Sequence, residues 1–237
     1  MSGHSKWATI KRQKGANDAK RGAVFTKIGN QIAIAARSGT DPDMNPALAM
    51  IIERARAANM PNANIQRSID RVKDKNAAAV EEVTYEAYGP GGIGLIVECA
   101  TDNRNRTYPE VRTALTKNGG TMAEQGSVAF QFTRKGVIHV EETGEDALLT
   151  ILDSGAEDAV EEEGEIIVYT DQKELMKVKK AISDAGLKIK DAELAYVPNN
   201  TVEITDDVIA KKVMKVMNAV DDLDDVVNVH SNFDIKE

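Results

Sequence analysis

The sequence predicts an α+β protein of three domains: an N-terminal three-helix domain and two ferredoxin-like α+β domains, one inserted in the other. Three observations predict it. Apolar residues recur every three or four positions as far as about residue 75. From Glu82 the period falls to two, the spacing of strands. Residues 137–197 then spell a whole β-α-β-β-α-β series, flanked on each side by half of another.

The elements follow in order. Ser2 to Gly15 has no period and reads as an extended arm. A helix from about Asp18 sets Phe25, Ile28, Ile32 and Ala35 on one face and stops at Gly39. Asn45-Pro46 supplies a cap and a first-position proline for a second helix, with Leu48, Ile51, Ile52 and Ala55 inward. Pro61 limits it. A third helix starts at Asn62 or Asn64, with Ile65, Ile69 and Val72 inward and Arg67 and Arg71 on an outward strip. Asn76-Ala77-Ala78-Ala79 reads as the linker to the next domain.

Val83, Tyr85 and Ala87 then mark a strand, Gly89-Pro90-Gly91-Gly92 a turn, and Ile93–Thr101 a second strand. Thr107-Tyr108-Pro109-Glu110 reads as a capping box opening a helix with Val111, Ala114 and Leu115 inward. Val128, Phe130 and Phe132 alternate like a strand over 127–133. The inserted series comprises strand 137–141, helix 145–154, strands 156–161 and 165–170, a helix capped at Thr170 or Asp171, and strand 189–197. Strand 201–204, helix 206–220 and strand 226–233 close the chain. Half a motif cannot bury one face of its sheet, so the two flanking halves are expected to join. The expected domains are 1–78, then 79–134 with 199–237, and the insert 135–198.

Charge is the main functional sign. The first 37 residues carry eight Lys or Arg against Asp18 alone, on a chain whose formal charge is −8. A basic segment on an acidic body confines polyanion affinity to one end. Lys6, Lys11, Arg12 and Lys14 surround Trp7 in the arm, and Lys20, Arg21 and Lys27 extend the charge along the first helix. Cations neutralise phosphates, and a lone aromatic can stack on an unpaired base. A solvated tail is the bland alternative. Arg104 and Arg106, between a strand and a capped helix, suit an anion at a helix N-terminus or, equally, pair with nearby acids. Phe130 and Phe132 would stack bases in an RNA-recognition sheet, though core is the better reading.

Catalytic readings are weak. Gly89–Gly94 matches G-x-G-x-x-G, but a strand follows where a dinucleotide site needs a helix, so the segment is read as a hairpin turn. His139 and His230 fall on the polar registers of their strands and are expected at the surface. Cys99 reads as a buried inert thiol. The acid runs at Glu161–Glu165 and Asp221–Asp225 lack the pattern of a calcium loop and read as solvated surface. No cofactor or metal is expected. No apolar run approaches the ~18 residues of a membrane span. The lone cysteine and absent leader suggest the cytoplasm, and the sequence is compatible with a monomer.

Met1–Trp7, Lys11–Gly15, Asp18–Phe25, Tyr88–Gly92 and Thr101–Thr107 resemble the YebC family over essentially the whole chain. That family includes the mitochondrial translational activator of cytochrome c oxidase. The resemblance implies three domains and no catalysis. It implies either DNA-binding transcriptional regulation or action on the ribosome and its rRNA at difficult stretches such as consecutive prolines. An extended basic arm leans towards the ribosome, with duplex DNA as the alternative. A ligand-sensing α+β module is a remote third reading, and a metal-dependent enzyme using the acid runs a fourth.

Overall fold

The protein is seen in a computed structural model that describes residues 18–74, 78–162 and 164–235, with side chains from Gly22 onward. The chain forms two compact units. The larger holds the described residues up to Phe132 together with those from Pro198, and the smaller spans 133–197.

The larger unit begins with three helices. α1 (Asp18–Ala35) carries Ile28 and Ile32, α2 (Pro46–Ala57) carries Leu48, Ile52 and Ala55, and α3 (Asn62–Asp70) carries Ile65 and Ile69 into one aliphatic core. Asn45 fixes the α1–α2 corner. Its side chain accepts from the Leu48 amide at 3.2 Å and donates to the carbonyls of Ala35 and Gly39. Two expectations change here. Val72 is exposed, because the chain tightens into a 3-10 turn at Arg71–Lys73. Arg71 turns towards the sheet: it donates to Asn30 and pairs with Asp102 at 3.0 Å, while Arg67 faces outward as expected.

The sheet of this unit has the order β3-β1-β2-β9, built from β1 (Glu81–Tyr88), β2 (Gly94–Thr101), β3 (Thr121–Met122) and β9 (Val226–Ser231). The β1–β2 hairpin closes through Gly91 and Gly92, both with positive φ, so the glycine-rich segment is a turn into a strand. Two helices, α4 (Arg104–Lys117) and α7 (Asp207–Asp221), pack on this sheet. Their buried residues Val111, Leu115, Val213, Val216 and Val220 meet Leu95, Val97 and Val226. The joining of the flanking halves is seen in β9 beside β2. β1 lies beside β2 as the hairpin reading requires, but β8 (Val202–Ile204) leaves this sheet and pairs in parallel with β10 (Phe233–Ile235) in a separate ribbon. The expected strand 226–233 breaks at Asn232, whose side-chain oxygen accepts from the Gly94 amide at 2.8 Å.

Two further segments are corrected. α4 starts at Arg104 with Asn103 as its cap, so Thr107 lies a turn inside the helix and Pro109 within it. Residues 127–131 form no strand. They run through a turn and a short 3-10 helix, leaving Phe130 72% exposed while Phe132 is buried. Val128 is buried against Gly94, where any Cβ would lie 2.8 Å from a Val128 methyl.

The smaller unit matches its expected order: β4 (Phe132–Val140), α5 (Glu145–Asp153), β5 (Asp158–Glu162), β6 (Glu165–Asp171), α6 (Leu175–Asp184) and β7 (Ile189–Pro198). The sheet order β5-β6-β4-β7 is that of a split β-α-β motif with antiparallel neighbours. α6 begins later than expected, after a turn in which Asp171 accepts from the Lys173 amide. Gly136 sits under α6, where a Cβ would lie 2.9 Å from Leu175.

Candidate nucleic-acid interface

The arm residues Lys6, Trp7, Lys11, Arg12 and Lys14 lie outside the described residues, and of Lys20 and Arg21 only the helical backbone is described. The structure therefore speaks to the remaining candidates, and it uses all three internally. Lys27 donates to the carbonyl of Asp221, the last residue of α7, and so neutralises that helix end. Arg104 pairs with Glu81 at 2.6 Å across the start of α4. Arg106 reaches back with its guanidinium to both oxygens of Asp225 at 2.8 and 2.9 Å, and to Asp102 at 3.2 Å. The anion suited to this helix N-terminus is thus supplied by the chain's own carboxylates.

Asp225 is the centre of that cluster and is 6% exposed. Thr107 and Thr101 donate to it at 2.6 and 3.1 Å. The sequence suggested a solvated run ending the last helix. The structure instead sends one of its four aspartates inward, because the motif Thr101–Thr107 presents two hydroxyls and a guanidinium to a single carboxylate. Arg71 joins the cluster through Asp102, and Asn30 donates to the Ala100 carbonyl. These bonds fasten the three helices to the sheet.

The histidines need the same correction. His139 is 1% and His230 8% exposed. Each lies 2.8 Å from a carboxylate, His139 from Glu165 and His230 from Glu98. Both are therefore buried beside a carboxylate rather than at the surface. Cys99 is buried as expected. Burial, with Asp225 and Glu98 adding charge repulsion, pushes its thiol up to about 12, so it is no nucleophile. Among the described residues there is no group of three or more His, Cys, Asp or Glu placed to hold a metal ion. No helix among them is long and apolar enough to cross a membrane.

The α2–α3 corner is one outward surface of the helical region. A four-residue turn joins the helices through Asn59, held at φ 59°. Beyond it α3 exposes Asn62, Gln66 and Arg67, and the last turn of α2 exposes Arg56. Amide and guanidinium groups at that spacing can meet base edges or phosphates. α3 is short, and its cations are interleaved with Asp70, which accepts from Gln66 and Lys73.

Known proteins place this arrangement. Residues 5–75 match the TACO1/YebC protein N-terminal domain, and residues 80–233 match the TACO1/YebC second and third domain. A probable transcriptional regulatory protein of Desulfotalea psychrophila is 46% identical over 242 residues, covering 100% of this chain and 97% of that protein. A protein of the same description from Maridesulfovibrio salexigens is 47% identical over 241 residues, with 100% and 97% covered. A crystal structure of a conserved hypothetical protein from Aquifex aeolicus superposes with a TM-score of 0.87 at 43% identity, covering 93% of each chain. By full-length identity, by both domain matches and by fold, the chain belongs to the TACO1/YebC family.

Proposed function

We propose that this protein regulates gene expression by binding nucleic acid and catalyses no reaction. The observation that carries the reading is the charge separation: seven net positive charges within the first 37 residues of a chain totalling −8. The full-length relatives named as probable transcriptional regulatory proteins favour duplex DNA as the target. The outward face of α3, with Asn62, Gln66 and Arg67, supports the same reading. Lys6, Lys11, Arg12, Lys14, Lys20 and Arg21 are the proposed phosphate contacts, with Trp7 as a stacking group.

A second reading is action in translation through rRNA, including relief of stalling at proline runs. It is favoured by the arm, whose single Trp among cations and glycines suits irregular RNA better than a regular groove.

Retention on duplex DNA is to be compared with co-sedimentation with ribosomes at matched salt. Tight duplex binding without ribosome association supports the first reading; the reverse supports the second. If about five arm cations meet phosphates, log affinity for duplex falls with log salt at a slope of roughly −4.5. Replacing Lys11, Arg12 and Lys14 together by Ala should flatten that slope and leave the melting temperature unchanged. Absence of binding to either target removes the proposal.

A further inference from the structure

The helical layer on the sheet of the larger unit has an outer surface of its own. α7 buries Val213, Val216, Met217 and Val220. The helical period sets Val208, Lys211, Lys212 and Lys215 on the opposite side, at i, i+3, i+4 and i+7, and all four are exposed. α4 buries Thr107, Val111 and Leu115 and exposes Arg112 and Lys117. The end of α4 and the start of α7 meet the same β1–β2 turn: a Cβ on Gly119 would lie 3.6 Å from Pro90, and one on Gly91 3.0 Å from Ile209. Their other ends are joined by Arg106 and Asp225. The helices are thus antiparallel neighbours, and Lys117 stands at the same end of the layer as Lys211 and Lys212. None of these five cations has a hydrogen bond or ion pair with a described residue, whereas Lys27, Arg71, Arg104 and Arg106 are all engaged. The chain holds 38 acids to 30 Lys or Arg, so partners are in excess. On this layer they are scarce. The two helices carry only Glu110, Asp207 and Asp221, and Asp221 lies beside Lys27. Asp222 and Asp224 follow α7 and bound the stripe at that end.

We infer that the outer surface of α4 and α7 is a second phosphate-contact surface, across which the backbone of the bound nucleic acid runs after it leaves the N-terminal segment. This deepens the nucleic-acid reading above and rests on it. Lys211, Lys212 and Lys215 are unpaired point charges with no exposed aromatic on their helix, so they neutralise phosphates and read no base. The rise from Lys211 to Lys215 is ~6 Å. One strand advances ~3.4 Å per phosphate, so the stripe meets about two or three consecutive phosphates. α1 abuts the same layer, since Lys27 donates to the Asp221 carbonyl at the end of α7. The first turns of α1, which carry Lys20 and Arg21 in the sequence, begin about 10 Å along the helix from that bond. A strand can therefore pass from the basic start of the chain onto α7 within a few nucleotides.

The test variant is Lys211→Gln, Lys212→Gln, Lys215→Gln in the full chain. These side chains hold no partner and Gln is as good a helix former, so its melting temperature should equal the parent's. Affinity for a short DNA duplex and for a short RNA single strand is measured against salt. The slope of log affinity on log salt should be shallower than the parent's by roughly 2.7 on the duplex and roughly 2.1 on the single strand. Replacing the three lysines by Arg should restore it. The arm variant Lys11→Ala, Arg12→Ala, Lys14→Ala should flatten the slope separately, and the two losses should add. Acetylation of the parent, read by mass spectrometry, should show Lys211, Lys212 and Lys215 protected by either probe. A parental slope in the Gln variant, or acetylation unchanged by both probes, overturns the inference. If the arm variant still flattens the slope in that case, the nucleic-acid reading survives without it. Protection by phosphatidylserine vesicles but by neither probe also overturns it, in favour of a membrane surface. A parent that binds neither probe removes the nucleic-acid reading and this inference together.

Discussion

The two units carry four-stranded antiparallel sheets backed by two helices, yet they are held together differently. In the smaller unit the polar contacts are shorter in range: His139–Glu165, Lys190–Glu165 and Lys135–Glu157 join residues 26, 25 and 22 apart in sequence, and Lys188–Glu141 spans 47. In the larger unit Thr107–Asp225, His230–Glu98 and Gly94–Asn232 span 118, 132 and 138 residues. A continuous motif can be closed by its own hairpin and crossovers. A domain interrupted by an insertion must recognise its second half at long range, where apolar packing alone fixes register weakly. Buried carboxylate, amide and hydroxyl groups make the correct register the one that leaves no polar group unpaired.

If that contrast is right, Asp225→Ala should have the largest effect. It strands two hydroxyls and a guanidinium and should cost about 3 kcal/mol, the low end for breaking a buried pair because Arg106 is partly exposed. Urea unfolding measures it, and hydrogen exchange should place the loss in β2, β9 and α4. An equal loss from Glu165→Ala would erase the distinction between the units.

Glu86→Gln comes next. This carboxylate, 6% exposed, accepts from the amides of Gly126, Val128 and Ala129 at 2.6–2.8 Å. Losing the charge should cost about 2 kcal/mol, in the range for bonds to ionised groups, and should speed exchange of those three amides. The same group sets an acid limit. Burial pushes the Glu86 carboxyl up, but the three donors together outweigh it and hold it below its ordinary value of 4.5. Glu165 behaves alike, with Lys190 and His139 outweighing burial. A depressed folded value means the stabilisation is full above that ordinary value and is lost as pH falls through the lower, folded one. Melting followed by circular dichroism should therefore decline below about pH 4.5, with the decline reduced in Glu86→Gln.

Asn45→Ala should cost about 1 kcal/mol through loss of the α2 cap. Lys177→Ala, in an exposed pair with Glu174, should not shift the unfolding midpoint measurably.

The same contrast explains what could be read in advance. The smaller unit was legible because its alternation, Gly stops and helical stripes are local. The long-range partners in the larger unit were less so: nothing near Gly94 announces that Asn232 will bind it, or that β8 will leave the sheet for β10. Val128, Phe130 and Phe132 alternate like a strand, but three amides of the loop are already committed to Glu86, forty residues upstream. Thr107 looked like a cap because its hydroxyl and Glu110 have the right spacing, while the true cap, Asn103, frees Thr107 to reach Asp225. In the candidate interface, the arm's cations were visible as composition. The internal duties of Lys27, Arg104 and Arg106 were not, since each partner is distant in sequence.

Two hydrogen bonds of Asn199 mark where the insert joins its host. The Asn199 amide donates to the Gln131 carbonyl at 2.8 Å, and the Asn199 side chain donates to Phe130. The chain leaves the larger unit and re-enters it through neighbouring residues. Ends that close behave as a single splice point. A whole module can be acquired, exchanged or excised there while the host keeps its threading.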